Sequence, residues 1–130
     1  MKKLFSIIAI VIILAGVSIF EEIYSKHFIS TLSSKADQTS IAISSNKENI
    51  DNNEVKTSYN DLKKYWDKSK TVLCFFTNYE KIKAIDESII KVDTAIKHNE
   101  VSLAIENISI IKEYEKIFKS MIGFNINNLF

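Results

Sequence analysis

The sequence predicts an all-α protein, an N-terminal transmembrane helix followed by an antiparallel three- or four-helix bundle. Three observations carry that expectation. The chain of 130 residues has no proline and only two glycines, Gly16 and Gly123, so almost nothing interrupts helices. An uncharged apolar run from Leu4 to Phe20 follows Lys2 and Lys3. Beyond it, apolar residues recur at alternating three- and four-residue intervals, the period of a helix face rather than of a strand.

The run 4–20 is broken only by Ser6, Gly16 and Ser18. As a helix its 17 residues reach about 25 Å, the short end of what a bilayer core requires. A cleaved signal peptide is the rival reading. Its exit is poor, because Ala15-Gly16-Val17 ends on valine and no cysteine follows Leu14-Ala15-Gly16. A retained anchor over residues 1–20, in contact with membrane lipid through residues 4–20, is the favoured expectation. Lys2 and Lys3 on one side, with Glu21 and Glu22 on the other, place the N-terminus in the cytoplasm and residues 21–130 outside the cell membrane. On that topology only about three residues stay inside, too few for a cytoplasmic output domain.

Residues 21–130 are expected to form one extracytoplasmic bundle. Tyr24, Phe28 and Leu32 mark the buried edge of a Ser/Thr-rich first helix. Ser44 to Asn53 reads as a loop, with asparagine at 46, 49, 52 and 53. Val55, Tyr59, Leu62, Trp66, Ser69, Leu73 and Phe76 form one stripe, and Ile82, Ile85, Ile89, Val92 and Ile96 a second. The two fall out of phase across Thr77-Asn78-Tyr79, where Thr77 and Glu80 have capping-box spacing, so a break is expected there. His98-Asn99-Glu100 is the next turn. The last helix has two stripes, Val101, Ile105, Ile108 and Ile111, then Leu103, Ile110, Tyr114, Ile117 and Met121. A helix apolar on two sides sits between neighbours.

Composition excludes several functions. The 17 basic residues are all lysine against 16 acids, a net charge of +1. Without a basic surplus or any guanidinium, a nucleic-acid partner is not expected. The single cysteine, Cys74, rules out an internal disulfide and reads as a small buried hydrophobe between Leu73 and Phe75. His27 and His98 have no partner at metal-ligand spacing. Glu113 and Glu115 read as a solvated face with Lys112 and Lys116. The sequon Asn107-Ile108-Ser109 reads as a chance match on a helix. No catalytic residue, metal ligand or cofactor site is expected, and the chain is not read as an enzyme.

The run Trp66…Phe76-Thr77-Asn78-Tyr79-Glu80-Lys81-Ile82…Ile85-Asp86-Glu87-Ser88-Ile89, with the ending Asn128-Leu129-Phe130, resembles the uncharacterised bacterial family DUF 4363. The resemblance implies a small protein with one N-terminal apolar segment and a helical remainder, and a membrane-protein partner. The chain departs from the family pattern where Tyr79 stands for an expected histidine and Lys81 for an expected acid. That departure argues against acid–base or metal chemistry there.

Two functions follow as expectations. One is an interaction module beside the membrane, binding another membrane protein or a second copy of itself, with Ile110, Ile117 and Met121 as the candidate interface. The alternative is a small-ligand sensor or carrier with a cavity lined by Trp66, Phe75, Phe76 and Tyr79.

Overall fold

A computed structural model of the chain describes the backbone of residues 1–75 and 78–129, and side chains as far as residue 117. Among the described residues four helices follow one another: α1 (Lys2–Ser45), α2 (Asn53–Leu73), α3 (Tyr79–Lys97) and α4 (Val101–Leu129). α2 ends at Leu73 and α3 begins at Tyr79, so the bundle is four-helical. α1 packs on α2 and α4, and α3 packs on the same two helices. Short turns make successive helices antiparallel, so the four close a ring in which sequence neighbours are spatial neighbours.

α1 does two jobs without a break. Residues 1–20 are exposed throughout, while Phe28, Leu32, Ala36, Thr39, Ala42 and Ile43 are buried at spacings of three, four and one. Its first part is long and apolar enough to cross a membrane. The whole helix of 44 residues reaches about 66 Å, roughly twice a bilayer core, so the bundle begins where the apolar run ends.

The stripes of α2 and α3 face the core as their spacing predicts. Val55, Tyr59, Leu62, Trp66, Ser69 and Leu73 are buried, as are Ile82, Ile85, Ile89, Val92 and Ile96. On α4 the first stripe goes inward at Ile108 and Ile111, joined by Ala104. Its second stripe is half-buried at Leu103, Ile110 and Tyr114 and exposed at Ile117.

Asparagines hold the end of the bundle farther from the apolar run. Asn52 caps α2, its side chain accepting from Val55 N at 3.0 Å. Asn46 Nδ2 donates to Ala42 O and to Glu54 across the loop. α3 ends in a left-handed cap at Asn99, φ 55°. There Glu100 N returns to Ala95 O and Asn99 N to Ile96 O, which satisfies two orphan carbonyls. Asparagine tolerates this conformation better than most residues. Its side chain then reaches the other loop, where Oδ1 accepts from Ile50 N at 2.8 Å and Nδ2 donates to Glu48 O at 3.3 Å. One residue thus ties the α1–α2 turn to the α3–α4 turn. At the opposite end Asn78 caps α3 by accepting from Glu80 N at 2.9 Å. The expected cap partner Thr77 lies outside the described residues.

Candidate functional site

Two polar seams cross the apolar core. Between α2 and α3, Trp66 is fully buried, yet its indole Nε1 donates to Asp86 Oδ1 at 2.9 Å. Lys70 reaches the same oxygen at 3.3 Å, and Tyr59 OH donates to the Ile89 carbonyl at 3.0 Å. Burial, reinforced by Asp93, Asp67 and Asp86, pushes the Tyr59 phenol well above its ordinary range. A hydrogen bond from Lys63 holds Asp67 below the usual carboxylate range, with Lys70 assisting against partial burial. Every group in this seam has a partner suited to it, so it fixes the pairing of α2 with α3.

The seam between α1 and α4 is different. Ser33 and Asp37 are four apart on α1, Lys112 and Glu115 three apart on α4, so each pair shares a helix face. Lys112 donates to Asp37 in a half-exposed ion pair. Glu115 lies deeper, with 4% of its surface exposed, and its Oε1 is buried without a hydrogen-bond partner. Burial raises its carboxyl to about 7, with Asp37 adding to the shift and the Ser33 hydroxyl and Lys112 opposing it. Burial thus favours the neutral form of a carboxyl placed where two helices meet. Among the described residues no three His, Cys, Asp or Glu side chains gather there as metal ligands.

Glu115 corrects the sequence reading of a solvated face. The signal was present in the register: from Ala104, Ile108 and Ile111, the next inward position at helical spacing is residue 115. Cys74 is a second correction, being exposed rather than buried. Cys74 still has helical backbone geometry, its N–H bonded to Lys70 O, but it stands one position off the inward stripe of Leu62, Trp66, Ser69 and Leu73 and so faces outward.

The residues expected to line a cavity do not converge. Trp66 is inside, packed 6.3 Å from the Phe28 ring, whereas Phe75 is 82% and Tyr79 71% exposed. Phe76 lies outside the described residues. Of the expected interface, Ile110 is half-buried and Ile117 is exposed, while the Met121 side chain lies outside the described residues. His27 is exposed on α1, and His98 is exposed at the C-cap of α3. Asn107 of the sequon is buried, its amide donating to the Leu103 carbonyl.

These features define a class: a helical bundle carried on one continuous helix whose first part has membrane-crossing length and composition. The chain belongs to the family described as Domain of unknown function (DUF4363), whose model matches residues 23–129, from just beyond the apolar run to the end of α4. No curated protein and no solved structure was found to match the chain.

Proposed function

We propose that the chain is a membrane-anchored extracytoplasmic helical interaction module, without catalytic activity, serving as an accessory to another membrane protein or acting as a homo-oligomer. One observation carries the reading. α1 leaves the bundle as an uninterrupted helix whose residues 4–20 are exposed on every side, from Leu4 at 63% to Phe20 at 58%. Nothing described in the chain covers that surface, and a soluble protein rarely leaves so large an apolar area uncovered. Lipid or the helices of a partner must take it up. The flanking charges, Lys2 and Lys3 against Glu21 and Glu22, favour a cytoplasmic N-terminus.

Exposed Ile117, beside half-buried Ile110, supports an association surface on α4. Site-specific photocrosslinking from position 117 in intact membranes tests it. A discrete adduct, either a dimer of the chain or one stoichiometric membrane protein, is expected. A smear of lipid adducts, with the same label at Lys47 giving no less crosslinking, would count against an interface on α4.

A further inference from the structure

Side-chain contacts fix the level at which α2 ends and α3 begins relative to the apolar run. Phe28 on α1 packs beside Tyr65 and Trp66 on α2, with ring centroids 5.9 and 6.3 Å apart. Trp66 in turn bonds Asp86 on α3. These residues therefore share one level in the bundle. Below that level, α1 reaches Phe20 after eight residues, α2 ends at Leu73 after seven, and α3 begins at Tyr79 after seven. At 1.5 Å per residue the three descents are about 12, 10 and 10 Å. The end of α2 and the start of α3 thus lie level with Phe20, where the apolar run stops.

The exposed aromatic side chains have the same distribution. Among the described residues they are Phe5, Phe20, Phe75 and Tyr79. Two belong to the membrane-length segment and two to the facing ends of α2 and α3. Tyr24 extends the group, stacked on Phe20 with centroids 6.0 Å apart. Aromatic rings concentrate at the headgroup level of membrane proteins, where an apolar ring and a polar tip are both accommodated.

We infer that the facing ends of α2 and α3 make a second membrane contact, with Phe75 and Tyr79 seated in the headgroup layer of the bilayer that α1 crosses. The inference rests on the membrane-crossing reading of α1 and adds a lipid surface to it. The carboxylates Glu21, Glu22 and Glu80 stand at the same level and keep the contact shallow. A contact at two points holds the bundle upright, whereas a single helix would leave it free to swing.

Cys74 makes the test direct, because it is exposed, is the only cysteine in the sequence and adjoins Phe75. The full chain carries a nitroxide at Cys74 and is reconstituted alone into vesicles of phosphatidylcholine and phosphatidylglycerol. Relative accessibility to oxygen and to a water-soluble nickel chelate reads depth. Reference labels sit at Ile12→Cys and Lys47→Cys, each with Cys74→Ser. The oxygen-to-nickel ratio at Cys74 is expected to lie several-fold above that at position 47 and below that at position 12. Phe75→Ser with Tyr79→Ser should bring it toward the position-47 value while Trp66 fluorescence, reporting the core, stays unchanged. A Cys74 ratio equal to that at position 47, with position 12 in lipid, overturns the second contact alone. A water-like ratio at position 12 overturns the membrane crossing and this inference together.

Discussion

Replacing Glu115 by glutamine is expected to make the bundle progressively more stable than the native chain as pH rises from 4 to 8. The carboxyl's ordinary value is 4.5 and the fold raises it to about 7. The folded state therefore favours the protonated, neutral form. Below pH 4.5 the group is neutral in folded and unfolded chains, and its contribution is fully present. Between the two values the unfolded chain releases the proton first, and stability falls by about 1.4 kcal/mol per pH unit. Above 7 both states are ionised and the loss levels off at about 3 kcal/mol. The shift comes from burial with a contribution from Asp37, opposed by Ser33 and Lys112, and glutamine removes the titration while keeping the shape. An amide leaves its own polar atoms to be satisfied, but that offset does not vary with pH. The assay is denaturant unfolding of the full chain in detergent micelles, followed by the fluorescence of Trp66, the only tryptophan. The stability difference between variant and native chain should move by about 3 kcal/mol in favour of glutamine between pH 4 and pH 8. A difference that stays flat would show that Glu115 is hydrated and that the α1–α4 seam is not dry.

Substitutions at three other positions have outcomes that follow from the local structure. Asn99→Ala removes both side-chain bonds between the end loops and strains a positive φ, costing about 2 kcal/mol in the same unfolding assay. Asn99→Gly relieves only the backbone part of that cost. Trp66→Phe loses the bond to Asp86, which keeps Lys70, and should cost about 1–2 kcal/mol by circular dichroism. Ile117→Lys changes an exposed position and should leave stability within about 0.5 kcal/mol, while weakening association if α4 is the interface, as read by the sedimentation of the chain in micelles.

Much of the fold was legible in the sequence because the helices are regular and their interior is apolar. The stripes of α2 and α3 predicted every buried member named for them within the described residues, from Val55 to Leu73 and from Ile82 to Ile96. The choice between three and four helices turned on Thr77-Asn78-Tyr79, where periodicity slips and Asn78 supplies the cap. The sequence reading failed at two kinds of place. Glu115 occupies an inward position with a charged side chain, so residue type argued for solvent while register argued for the core, and register prevailed. Cys74 and Phe75 stand one and two positions past Leu73, off the inward stripe, so an apolar neighbourhood in sequence argued for the core while register argued for solvent. The expected cavity failed for that reason, since Trp66 still belongs to the stripe and Phe75 does not. The level at which α2 ends and α3 begins relative to the apolar run was not legible, because it depends on which residues of α1, α2 and α3 meet.

The proposed role stands or falls on whether the chain stays in the membrane intact and in company. A tagged chain purified from native membranes in mild detergent can be weighed intact and its companions identified and counted. A membrane-anchored module should retain residues 1–20, partition with membranes and be recovered either as an oligomer or with one near-stoichiometric membrane protein. A chain shortened near residue 18, released from membranes and recovered alone, would contradict it.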